Sequence, residues 1–305
     1  IVIRGTDGAV VDGEIGVFER RWVYLDRLTV NGRVRFNGTD HFAITRSTVT
    51  ATRALEGHGI ITDLPAQNAY IADNTVTGVT PWADSAMGAE GANLGEGILV
   101  TGPGHVITHN RVRGFRDDIS LLEDAEAKRQ FSIDITFNDI SQAGDDGVEA
   151  DFCAHDCRIA GNRLTDVFVA LSSQPGLGGP TYFVRNSAFN VTHVVFKPYR
   201  GSTGDVLLNN TAVKTGDAFG VYSGEPVTRL LSRNNLFIGG PGGTFGGYAN
   251  GTGRPLDART LVLPDMDFDA FGTSEAFTGV FGTARYDGLA GLRARTTERH
   301  AVRVD

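Results

Sequence analysis

The sequence predicts an all-β chain wound as a right-handed, single-stranded parallel β-helix of about 24 residues per coil, closed by a C-terminal cap. Three observations carry this. An asparagine recurs at 138, 162, 186, 210 and 234, every interval being 24. Around it the residues alternate apolar and polar over short Val-, Ile- and Thr-rich runs, which is strand periodicity. The 40 glycines in 305 residues supply the turns that such coils need. A unit of this kind cannot bury its apolar face alone, but a stack of them can.

The coils can be followed in chain order by the pattern apolar-x-x-Asn-x-apolar. Ile44-Thr45-Arg46-Ser47-Thr48-Val49 opens the series with serine in the asparagine slot, and Asn74 and Asn110 follow. The 74 to 110 interval is 36, so Pro81–Gly95 is an insertion, expected to project as a loop that walls a groove. The 110 to 138 interval is 28, which puts a shorter insertion near Glu123–Lys128. An asparagine at one turn of each coil can form an amide ladder while tolerating left-handed backbone. The repeats fade near residue 240, so 1–245 reads as solenoid and 246–305 as an extension and cap, with a short helix near Leu289–Leu292 that Asp287 could cap.

A net charge of −8 argues against a nucleic-acid binder, and no apolar run approaches the length of a membrane helix. Cys153 and Cys157, with His155 between them, suit either a small-loop disulfide, free thiols or a metal clip, the last lacking a full ligand set. Ile1 follows no charged-then-apolar leader, so any signal peptide is expected to have been removed or to lie outside this sequence. Together with a disulfide, this would fit a secreted or periplasmic protein.

Chemistry concentrates in Asp145-Asp146-Gly147-Val148-Glu149-Ala150-Asp151 and, one coil earlier, Arg116-Asp117-Asp118. With Val148 and Ala150 inward, Glu149 and Asp151 point outward together. At equal offset from the asparagine, Glu149, Ser173, Lys197 and Val221 should stack, leaving Glu149 and Lys197 on one face roughly 10 Å apart. So many carboxylates need a positive partner, either a hard cation such as calcium or an arginine from Arg116, Arg158 or Arg163. Asp117 and Asp145 suit turn capping equally well. Lys197 is one of only three lysines, with Lys128 and Lys214, and a neutral lysine could act as a base; a solvated ion pair is the plainer alternative. Tyr199 and Arg200 follow it and could meet an acidic substrate. Gln174 and Tyr182, in a Gly- and Pro-rich stretch, could contact sugar, and His193 is an alternative base.

Asp145-Asp146-Gly147-Val148-Glu149 resembles the DDGxD motif of polysaccharide lyase family nine, calcium-dependent pectate lyases of this fold, and Phe196-Lys197 resembles that family's Phe-Lys. The resemblance covers about 80 residues, and Glu149 replaces an aspartate. It implies calcium at Asp118, Asp145, Asp146 and Glu149, with Lys197 taking the C5 proton of a uronate in an acidic polysaccharide. The chief rival is a glycoside hydrolase using Glu149 and Asp151. The Gly57-His58-Gly59 and Gly144-Asp145-Asp146 motifs occur in the reverse order to polygalacturonase-type hydrolases. A non-catalytic glycan-binding or adhesive solenoid is the third possibility.

Overall fold

Three short strands make each coil, and stacking of corresponding strands builds long parallel sheets, as expected. The computed structural model describes residues 1–123 and 129–305. Strands Tyr70–Ala72, Val106–Thr108, Phe131–Thr136, His155–Ala160 and Leu177–Val184 pair in sequence on one face. After the asparagine turn, Thr75–Thr77, Arg111–Arg113, Asp139–Ser141 and Arg163–Val167 form the second face. The third face carries Ile60–Ile61, Glu96–Val100, Asp117–Leu121, Asp146–Glu149, Val169–Ser172 and Phe196–Lys197.

The interior is a set of aliphatic ladders. Ile44, Ile71, Ile107, Ile135 and Ile159 stack in register on the first face, all essentially inaccessible. On the third face Ile60, Ile98, Ile119, Val148 and Leu171 do the same. Each such side chain contributes about 1.5–3 kcal/mol by burial, so one strand position per face decides which way its neighbours point.

The amide ladder is formed. Asn162 donates Nδ2–H to Asn186 Oδ1 at 3.0 Å, the same oxygen accepts the Asn162 backbone N–H at 3.0 Å, and Nδ2 also reaches the Ile135 carbonyl at 2.8 Å. The series runs from Ser47, whose backbone N–H donates to Asn74 Oδ1, to Asp269, which accepts from Asn235. Two expectations change. The left-handed backbone lies on the residue before the ladder position, as at Asp73, His109, Phe137 and Arg185, and not on the asparagine itself. In the coil after Asn210 the ladder residue is Asn235, and Asn234 occupies the left-handed position with φ 57°. That coil holds one residue more, and the Asn234-Asn235 pair offered both choices.

No break in the ladder marks residue 245. Asp265–Asp267 and Ala270–Gly272 pair in parallel with Leu231–Arg233 and Leu236–Ile238, and Val302–Val304 adds a further strand. The helix Gly288–Arg295 buries Leu292; Asp287 sits at its start but makes no side-chain cap bond. Cys153 and Cys157 are joined by a disulfide, and His155 stacks on Phe131 at 4.6 Å instead of completing a metal clip. No helix among the described residues is long and apolar enough to cross a membrane.

Candidate active site

On the third face, glycines stand near the start of the carboxylate-bearing strands Glu96–Val100 and Asp146–Glu149. A Cβ on Gly97 would lie 2.4 Å from the Asp118 carbonyl oxygen, and one on Gly147 would lie 2.7 Å from Leu164 Cδ2. The backbone therefore runs close to the core there, and Glu96, Asp117 and Asp145, at or just before the starts of these strands, are mostly buried yet keep some surface. They floor a cleft of about 700 Å³.

Strand register sets one column of this cleft: Leu99, Ser120, Glu149, Ser172 and Lys197 occupy successive coils. Glu149 and Lys197 thus share a face two strands apart, as the repeat predicts. The residue between them is Ser172 and not Ser173, because the turn after Asn162 reaches the strand one residue sooner. Val221 lies in a separate sheet with Leu256–Ala258.

Seven carboxyl groups meet here, with Arg116 and Lys197 set among them. Oxygens of Glu96, Asp117 and Glu149 lie within 4.8 Å of one another, as do those of Asp117, Asp145 and Asp146, and those of Glu123, Glu149 and Asp151. Arg116 stands 3.5 Å from Asp117 and 3.7 Å from Asp145. Lys197 forms an ion pair with fully buried Asp146. Asp117 Oδ1 accepts the Asp146 backbone N–H at 2.7 Å, and Ser120 donates to Glu96 at 2.9 Å.

The electrostatics follow from burial among like charges. Burial pushes the Glu96 carboxyl up to about 7. Burial, followed by repulsion from Asp117, Asp151, Asp146 and Glu96, holds Glu149 well above the usual carboxylate range. Asp117 is raised by burial and by Glu96, Asp145 and Asp146. Burial lifts Asp151 to about 6. Burial alone would lower the Lys197 ammonium, but attraction to Asp146, Asp151, Asp145 and Glu149 outweighs it and holds the group well above its ordinary value.

Most of the residues singled out in the sequence converge. Asp145, Glu149, Lys197, Gln174, Tyr199, His193 and Arg200 border the cleft. Arg200 sits at its rim, 3.7 Å from Glu123. Tyr199 accepts the Tyr222 backbone N–H, and burial lifts its phenol to about 12. His193 stacks on Phe168 at 5.0 Å, and burial pushes it down to about 4.

Others do not border the cleft. Asp118 is turned into the wall, where it accepts the Phe115 backbone N–H at 3.3 Å; Asp117 occupies the place in the cluster expected of it. Asp151 is fully buried beneath the floor, holding Ser172 Oγ and the Gln174 backbone N–H at 2.6 Å each. Tyr182 belongs to the first face, in register with Arg158 and Val206, and does not border the cleft. Arg158 and Arg163 serve Asp134 and Asp139 on the outside of other sheets, which leaves Arg116 as the arginine of the cluster. Glu96 was not anticipated, although Gly95-Glu96-Gly97 has the glycine-flanked character of Gly144–Gly147; the Pro81–Gly95 insertion hid its register. That insertion does wall the cleft, through Ala89. The second insertion reaches it at Leu122 and Glu123, and its remainder, 124–128 with Lys128, lies outside the described residues.

Clusters of acidic residues able to coordinate a metal ion are therefore present. The donors are all oxygen, and Asp146 Oδ1 is buried without a hydrogen-bond partner, which suits a hard cation at Asp117, Asp145 and Asp146.

The chain matches no protein-family model and no curated protein. Among solved structures it is similar to the Dettilon tailspike protein, at 14% identity and a TM-score of 0.43, over 90% of this chain and 47% of that one. It is also similar to a DFA-IIIase variant from Arthrobacter chlorophenolicus A6, at 13% identity and a TM-score of 0.28, over 72% and 46%. The chain spans about half the length of each. Similarity at this level bears on neither activity nor substrate.

Proposed function

We propose that the protein is a carbohydrate-active enzyme that cleaves glycosidic bonds of a polysaccharide by acid–base catalysis from the carboxylates of this cleft. What supports this is the approach of Glu96, Asp117 and Glu149 to within 4.8 Å in a cleft open to solvent. Burial and mutual repulsion keep a proton on this trio near neutral pH. Glu149 gives that proton to the glycosidic oxygen as the bond to the anomeric carbon breaks. Asp145, beside Arg116, supports the cationic centre and takes the proton of the water that adds there. Asp145 fills this role in place of Asp151, which has no surface in the cleft.

Lys197 is then a fixed cation. Held protonated against Asp146, it is a poor base and instead offsets the charge beneath Glu149. An acidic glycan would have to share the cleft with these carboxylates and so would need a cation; a neutral one would not.

A second reading, calcium-assisted β-elimination, is favoured by the Asp117–Asp145–Asp146 cluster and its unpartnered Asp146 oxygen. In it these three residues would hold calcium, which would neutralise a uronate carboxylate, and Lys197 or another base would remove the C5 proton. Incubation with neutral and acidic polysaccharides, with and without chelator, separates the two. Chelator-resistant release of saturated reducing ends, lost in Glu149→Gln, supports hydrolysis. Chelator-sensitive, ultraviolet-absorbing unsaturated ends support elimination, and no turnover of any glycan leaves a binding solenoid. The disulfide supports an exported protein.

A further inference from the structure

Two pieces of chain outside the coils clasp one another over one side of the cleft. The hairpin of Thr244–Phe245 and Tyr248–Ala249 is antiparallel, unlike the solenoid. It meets the Pro81–Gly95 insertion some 160 residues earlier, where the Gly246 backbone N–H donates to Asp84 Oδ1 at 2.8 Å. A Cβ on Gly88 would lie 2.4 Å from Tyr248 Cε2, and one on Gly246 would lie 2.3 Å from the Met87 carbonyl oxygen. The segments interlock only because both positions lack a side chain.

The clasp fixes one ring. Tyr248 packs edge-on against Phe168 at 5.3 Å and 70°, and tilted on His193 at 5.6 Å and 57°, over a small apolar cluster of Met87, Phe168, Val169 and Val194. Part of the ring stays accessible and borders the cleft, on the same side as His193 and Phe168. His193 is neutral at physiological pH, so this wall is aromatic and uncharged beside a floor of carboxylates. A sugar ring has complementary character: an apolar C–H face for the tyrosine and hydroxyl edges for Glu149 and Gln174. A ring held from two sides loses little freedom on binding.

We propose that Tyr248, clamped between the insertion and the hairpin, is the stacking platform of a pyranose subsite adjoining Glu149. This rests on the glycan reading above. The test uses the Glu149→Gln protein, slowed enough for binding to be read ahead of turnover, and calorimetric titration with oligosaccharides cut from the polysaccharide it retains best. Tyr248→Ala lowers affinity about tenfold, equivalent to about 1.4 kcal/mol, while Tyr248→Phe stays within twofold. Gly88→Ala touches no sugar but drives a methyl into the tyrosine's space, and it reproduces the loss. Tyr248→Leu keeps the apolar packing without the flat ring; it melts like the parent and still loses affinity. In the active enzyme Tyr248→Leu raises KM and leaves kcat near its parent value. Parent-like affinity in Tyr248→Leu overturns the platform while leaving the glycan reading intact. Absence of binding in the Glu149→Gln parent overturns both.

Discussion

Lys197 offers the sharpest separation of roles, because a fixed cation and a base respond differently to arginine. Its partner Asp146 has no exposed side-chain surface, and Lys197 itself has 11%. Lys197→Met leaves Asp146 as a buried charge without its counter-ion, which costs about 3–5 kcal/mol. For 305 residues, an unfolding entropy of about 2.1 cal/mol/K per residue converts this into a melting temperature lower by about 5–8 °C. The deficit is larger at about pH 8 than at about pH 5, because Asp146 can take up a proton in acid and shed the penalty. Lys197→Arg keeps the charge and recovers most of the stability and the activity, although the larger head costs some packing. The assay is thermal unfolding of the three proteins at both pH values, alongside product release. An arginine variant that is as stable as the parent yet inactive would refute the fixed-cation role, since a guanidinium stays protonated and cannot act as a base.

Three further outcomes follow from the same geometry. Glu96 is raised to about 7, and Asp151 and Asp205 to about 6, so the folded state binds these protons more tightly than the unfolded chain does. The resulting stability is complete below the ordinary carboxylate values and is lost as pH rises through about 6–7; denaturant midpoints should be higher at about pH 5 than at about pH 8, and the opposite slope would contradict the assignment. Glu149→Gln should lower kcat by about 10²–10⁴-fold, whereas Glu96→Gln should move the alkaline limb of the activity profile to lower pH, as Glu149 is relieved of one neighbouring charge. Asn162→Ala strips the ladder partners of Asn138, the Ile135 carbonyl and Asn186; at about 1 kcal/mol per bond it should cost about 3–4 kcal/mol, and chemical denaturation showing less than about 1 kcal/mol would mean that the ladder is not a structural spine.

The coil period was legible because stacking leaves one chemical requirement per turn, and the same residue type meets it each time. The period is not strictly constant, and its departures fall where a fixed 24-residue spacing misplaces residues. One extra residue in the coil after Asn210 moved the ladder from Asn234 to Asn235, and one fewer before the third face put Ser172 beside Glu149. Alternation alone could not decide between Asp117 and Asp118, since Asp117–Leu121 is buried at every position and shows no two-residue alternation of exposure. Tyr182 lies between the carboxylate and lysine coils in sequence, but a coil visits three faces and the tyrosine falls on another one. Glu96 and Tyr248 are contributed after or beyond the repeats' clear register, where length differences erase positional information and only packing brings the residues together.

Running the reaction in heavy-oxygen water and weighing the products shows whether the carboxylate cleft adds water across a glycosidic bond. Hydrolysis places one solvent oxygen at each newly formed anomeric carbon, so the parent should show that label with chelator present, and Glu149→Gln should accumulate it about 10²–10⁴-fold more slowly. Unlabelled products carrying a carbon–carbon double bond would contradict it, because elimination breaks the bond without adding water.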